Sequence, residues 1–291
     1  MAQVASSQVE SQIMNPSEEY ASRIDTVREQ NIRIRGEAPK DDPWGGEVAR
    51  LFRFDPHRTL DPNLTITASY LRPTDVFVDV GGGAGRVSLP MSLRCNWVIN
   101  VDASPGMAAE FESSALEAGI SNARVQLSNW LDTDGVKGDV VFTSDVTYFV
   151  KEIGPFISKL NAAAERTVII TLWSVPPPNR RSMLYRLVYG EEQAVAPGHR
   201  ELLTVLWQMG ILPDVRVLPE PPWWDREIPT TRTAAMDMAL GSRWINPEDR
   251  PRAGGLIEGN FDELFEENST GFHPLWLADA RELLVTWEPL K

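Results

Sequence analysis

The sequence has a single cysteine, Cys95, in 291 residues. One thiol excludes an intrachain disulfide and a thiolate zinc cluster. It also agrees with a reducing compartment. Histidine is nearly as sparse: His57, His199 and His273 lie far apart, and no metal site is expected. No run approaches the roughly 18 apolar residues of a membrane span. The first 16 residues are polar and lack the charged-then-apolar order of a signal peptide. Together these absences predict a soluble, cytoplasmic protein. Basic clusters are missing too: Arg180–Arg181 is the sole Lys/Arg doublet, in a chain of net charge −13. Such a chain is repelled by phosphate backbones and anionic membrane surfaces. Nucleic acid and membranes are therefore not expected as partners, and the chain is expected to act as a monomer or homodimer.

What is present is ordinary globular material, 42% hydrophobic and 24% charged, enough for a sizeable core. Residues 1–16, rich in Ser, Gln and Ala, predict a disordered tail. Residues 17–71 predict an N-terminal helical cap, with helices at Ser17–Ile34, Gly46–Phe54 and Pro62–Leu71. The character then changes. Apolar runs at Val76–Val80, Trp97–Val101, Arg124–Leu127, Asp139–Thr143 and Thr167–Thr171 alternate with helical segments. That alternation predicts a parallel sheet covered on both faces, with a core over 72–220. Residues 221–279 predict a helical insert or lid, with helices near Thr231–Leu240, Pro247–Arg250 and Gly259–Glu267. Residues 280–291 supply a closing strand.

The chemistry concentrates in Asp79-Val-Gly-Gly-Gly-Ala-Gly85, between the first strand and a helix expected over Arg86–Leu93. Glycines there let the chain turn sharply and let a ligand approach without Cβ interference. The N–H groups of a following helix suit an anionic group. The dinucleotide fingerprint requires Gly or Ala where Arg86 or Ser88 stands, and the Gly-Lys-Ser/Thr of a P-loop is absent. Asp102 ends the second strand, twenty-one positions after Gly81. A carboxylate at that point can accept from both hydroxyls of a ribose.

Asp-x-Gly-x-Gly-x-Gly, with Asp79 two residues before Gly81, resembles the first motif of class I S-adenosylmethionine-dependent methyltransferases. Asp102, then Ser128-Asn129-Trp130, then Gly138 to Tyr148 follow in the order of that family's later motifs. The resemblance implies a Rossmann-like seven-stranded α/β sheet, mostly parallel with an antiparallel last strand. It implies S-adenosylmethionine as cofactor, S-adenosylhomocysteine (SAH) as product, and a small-molecule methyl acceptor. It assigns cofactor binding to Asp79, Gly81, Gly82, Gly83, Gly85, Asp102, Ala103, Met107, Asn129, Trp130, Ser144 and Asp145. Asn129 stands where the family places an acid on the adenine amino group, with Asp132 as competitor. Trp44, Tyr148 and Trp173 are candidate acceptor contacts, and Asp145 and His57 candidate catalytic bases. Competing readings are methylation of a protein partner, a non-catalytic cofactor-binding protein, and a nucleotide-dependent oxidoreductase.

Overall fold

The structure is a computed structural model that describes residues 15–36, 42–220, 228–241 and 244–290. Residues 1–14 of the expected tail lie outside it. Asn15 and Pro16 already belong to the first helix: the Asn15 side chain accepts from the Ser17 N–H, and α1 runs over Pro16–Arg35. Short helices α2 (Glu47–Leu51) and α3 (Pro62–Ala68) follow. α3 starts where it does because Asp61 accepts from Leu64 N and Pro62 occupies the first turn.

The apolar runs become strands β1 (Val76–Val80), β2 (Trp97–Asp102), β3 (Ala123–Leu127), β4 (Gly138–Ser144) and β5 (Ala164–Trp173). Val and Phe make up most of β1, and Val140-Val141-Phe142 and Val168-Ile169-Ile170 form the centres of β4 and β5, because both faces of the sheet are covered. Between them lie α4 (Ser88–Ser92), α5 (Pro105–Glu117) and α6 (Ile153–Ala163). Helices α7 (Ser182–Tyr189) and α8 (His199–Gln208) lead to β6 (Asp214–Val217). Helices α9 (Arg232–Leu240), α10 (Arg250–Gly259) and α11 (Phe261–Leu264) precede a hairpin of β7 (Phe265–Asn268) and β8 (Gly271–Pro274). Strand β9 (Glu282–Trp287) closes the main sheet.

The sheet order is β3-β2-β1-β4-β5-β9-β6. β9 runs antiparallel to both β5 and β6, as expected, while the other pairings are parallel. The order reverses between β1 and β4, which opens a crevice beyond their carboxyl ends. One face of the sheet packs Val78, Ile99 and Ile170 against Tyr20 of α1, Phe156 and Leu160 of α6 and Leu202 of α8. The other packs Phe77, Phe142 and Ile169 with Leu64 of α3 and Met91 of α4.

Two expected elements come out differently. The helix after the glycine loop is only Ser88–Ser92, with Pro90 removing a donor inside it. The helix expected over Gly259–Glu267 is instead the end of α10, the short α11 and strand β7. A turn at Asn268–Gly271 forces the hairpin: Asn268 Oδ1 accepts from Thr270 N, and Gly271 takes φ +135°. The insert has its own small core, in which Ala235, Ile257, Phe261 and Trp276 surround Leu184 of α7.

Candidate active site

The glycine loop leaves β1 at the crevice. Gly81, Gly83 and Gly85 all hold positive φ, at 70°, 56° and 87°. Space is as restrictive as conformation. A Cβ on Gly81 would collide with Val146, and one on Gly85 would lie 2.6 Å from Leu89 and 2.8 Å from Phe111. Gly82 has ordinary φ, yet its Cβ would lie 2.5 Å from Asp79 Oδ2 and 2.7 Å from Asn100 Oδ1. The loop therefore rests on two polar side chains from neighbouring strands.

Those strands also fix the loop. Gly81 N donates to Val101 O at 2.7 Å, and Asn100 Nδ2 donates to Gly83 O at 2.9 Å. Asp102 Oδ2 accepts from Gly83 N, and its Oδ1 from Ser104 N, both at 2.8 Å. Both carboxylate oxygens are thus oriented by backbone N–H groups, and each keeps acceptor capacity. Burial raises the Asp102 pKa, against the lowering effect of these two N–H groups. Asp79 is fully buried, and burial pushes its carboxyl up to about 7 despite hydrogen bonding to Ser88.

At the end of β4 the chain makes a sharp departure. Asp145 has φ +61°, the one positive value at a non-glycine among the described residues. Such a conformation in an L-residue costs free energy and is concentrated at functional sites. Asp145 N donates to Thr171 O at 3.1 Å, which ties it to β5. Its carboxylate lies 3.7 Å from Arg86 Nη2, accepts from Ser144 Oγ at 3.4 Å and is hydrogen-bonded to the Trp173 side chain. Burial raises the Asp145 pKa, and Arg86 opposes the rise. The Asp145 side chain makes no helix cap; the turn that follows, Thr147–Phe149, is uncapped by any side chain.

Of the other sequence-predicted residues, Met107 is buried, with its sulfur 3.3 Å from where a Gly83 Cβ would stand. Ala103 is exposed beside Asp102. Asn129 uses its side-chain oxygen to accept from Leu131 N at 2.9 Å. Trp130, expected to stack on a ring, is buried in the core with Lys159 Nζ 5.5 Å from its ring centroid. Tyr148 is likewise buried; its hydroxyl accepts from Trp173 N, which fastens the turn after β4 to the end of β5. His57 is exposed and hydrogen-bonded to Ala118 O at the end of α5, so it does not join the Asp145 group.

Trp44 sits on a strap that crosses the crevice. Its ring meets Phe52 at 6.1 Å and Phe149, beyond β4, at 5.6 Å. Asp42 Oδ2 accepts from Gly106 N at 3.1 Å, beyond β2. A Cβ on Gly106 would lie 2.5 Å from Gly45 Cα, so strap and helix start touch through backbone.

Sequence reasoning missed Arg86, Glu282, Asn63 and Asp61. Arg86 was visible as the residue after Gly85. The others come from distant segments that only the tertiary fold assembles. Glu282 is the β9 residue in register with Trp173 of β5. It accepts from Asn63 Nδ2 at 2.7 Å, and burial lifts its carboxyl to about 7.

No protein-family model and no curated protein matches the sequence. Solved structures do match. The YcgJ protein of Bacillus subtilis is 13% identical over 79% of this chain and 98% of its own, with a TM-score of 0.52. A candidate methyltransferase of Bacillus halodurans is 10% identical over 78% and 97%, with a TM-score of 0.53. A magnesium protoporphyrin IX methyltransferase of Synechocystis, solved with bound SAH, is 16% identical over 91% and 99%, with a TM-score of 0.48. At such identities the likeness is one of fold, and this chain has the Rossmann-like fold of the class I methyltransferases.

Proposed function

We propose that the chain binds S-adenosylmethionine in the β1/β4 crevice and transfers its methyl group to a small-molecule acceptor. Asp102 carries this reading. Its two oxygens are held by Gly83 N and Ser104 N, and a carboxylate so fixed suits the paired hydroxyls of a ribose. The glycine loop, with Asp79 beneath it, receives the methionine end. A buried acid there disfavours a pyrophosphate and tolerates an ammonium. Ala103 and Met107 border the adenosine, and Ser144 and Asp145 face the reacting end. The Asn129 oxygen, already accepting from Leu131 N, has one acceptor position left for the adenine amino group.

The cofactor supplies a methyl carbon already activated by the sulfonium charge. The chain's own task is to align the nucleophile and exclude water. The strap around Trp44 covers the crevice, and the described helices of the N-terminal cap and of the insert are assigned to the acceptor side. A net charge of −13 supports a small acceptor over a nucleic acid.

Calorimetry with S-adenosylmethionine, SAH and NAD tests the reading. The first two are expected to bind and NAD is not; binding of NAD alone reverses the conclusion. Asp102→Ala removes two charge-assisted hydrogen bonds and is expected to weaken donor binding roughly 100-fold. Unchanged affinity refutes the ribose role.

A further inference from the structure

A narrow pocket opens beyond the carboxyl ends of β4 and β5, on the α3 side of the glycine loop. Asp61, Arg86, Ser144, Thr171, Trp173 and Glu282 contribute its polar wall. Arg86 and Ser144 belong equally to the Asp145 group, so this pocket adjoins the end of the crevice where the donor's methyl is placed. The carboxylates in and beside it differ in employment. Asp145 is engaged by Arg86, Ser144 and Trp173. Asp61 caps α3 through Leu64 N. Glu282 stands at the first position of β9 and is aimed by Asn63, a buried side chain that also clamps Glu220 through both its main-chain N–H and its carbonyl.

We propose that Glu282 takes the proton from a small hydroxyl- or amine-bearing acceptor as the methyl moves. The assignment rests on the donor reading above. The acceptor's lone pair forms the bond to the methyl carbon. The methyl–sulfur bond breaks and its electron pair stays on sulfur, leaving a neutral thioether. The O–H or N–H proton passes to the Glu282 carboxylate. The charge of the wall selects the same class. Asp61, Glu282 and the adjoining Asp145 outnumber the guanidiniums beside them, Arg86, which is already paired, and Arg58, which donates to Arg86 O and acts on Asp61, so an anionic acceptor is disfavoured and a neutral proton donor is favoured. The groups that act on the Glu282 charge are Asp145 after β4, Arg86 of the glycine loop and Asp61 before α3, with Tyr148 also in range. Burial and the two aspartates favour its protonated form; Asn63 and Arg86 favour the carboxylate. A base balanced in this way accepts a proton near neutral pH and can return it to solvent.

Three measurements test this. SAH binding by calorimetry separates the donor reading from the present one: Glu282→Gln is expected to keep donor affinity within about twofold, because it sits on the acceptor side. Methyl-labelled S-adenosylmethionine is then offered with a panel of small phenols and primary amines, which tells the two acceptor sources apart. Glu282→Gln is expected to slow transfer on the order of 100-fold with the donor KM unchanged. The natural chain's rate is expected to show a midpoint near 7 that the variant's lacks. Glu282→Asp retains a carboxyl and is expected to keep the pH dependence at a lower rate. Carbon-13 NMR of labelled glutamate side chains follows Glu282 without any acceptor, the Gln variant identifying its signal. Equal rates and equal pH profiles overturn the proposal. So does a Glu282 signal that titrates with the exposed glutamates, or a donor-binding chain that methylates no phenol or amine.

Discussion

Single residues at this site do more than one job. Asp79 shows the consequence most directly. Its carboxyl is fully buried under Gly82, and its Oδ2 receives no hydrogen bond within the described chain. Burial raises its pKa from 3.8 to about 7. The folded chain therefore holds this proton more tightly than the unfolded chain does. Its contribution to stability is complete below the unfolded pKa and is lost as pH rises through about 7. At about 1.4 kcal/mol per pK unit, the loss is on the order of a few kcal/mol. Asp79→Asn removes the titration and keeps the shape. Thermal melting from pH 5 to pH 8 is expected to move in the variant's favour relative to the natural chain up to about pH 7 and to level off above it. Parallel curves across that interval would show that Asp79 is already ionised at pH 5.

Elements then hold these residues in register, and α1 is the clearest case. Tyr20 is fully buried, and its hydroxyl donates to Thr147 O at 2.8 Å in the turn just past Asp145. Burial raises its pKa further above the ordinary tyrosine value, so it stays a donor throughout the physiological range. Tyr20→Phe leaves that carbonyl without this donor and is expected to cost about 1–3 kcal/mol in chemical denaturation. It is also expected to loosen the turn, visible as faster hydrogen exchange at Thr147–Phe149; unchanged exchange there would place α1 outside the support of the site. The contrast between β1 and the β9 end explains how much was legible beforehand. Glycine spacing, an acid before it and an acid ending the next strand lie within 24 consecutive residues, Asp79 to Asp102. Local chemistry and strand alternation sufficed to place them. Glu282 and Asn63 are 219 positions apart, and no period or motif connects them. Trp130 and Tyr148 were legible by type alone. An aromatic beside a strand end serves a ligand or the core equally well by type, and the fold buries both.

The whole molecule converges on the crevice from four directions: the strap at Asp42–Phe52, the glycine loop, the β2 end and the β4 end. Asp42 joins the strap to the start of α5, and Trp44 joins it to Phe149. Arg53 continues the attachment along α5 through Glu110 and Glu117. A donor lying beneath that strap is expected to contact separate segments spread over residues 42–149, so its binding energy is expected to be felt by the cooperative unit and not by one loop. SAH at about 100 times its Kd would stabilise the folded state by about 2.7 kcal/mol. For a chain of this size that is a rise of about 4–5 °C in Tm. The rise is expected in a single transition, because the strap and the glycine loop share a core of Ala49, Ala84 and Met107. NAD at the same concentration is expected to leave Tm unchanged. An SAH-dependent shift confined to one of two separate transitions would mean that the N-terminal strap melts on its own and that the crevice closes without it.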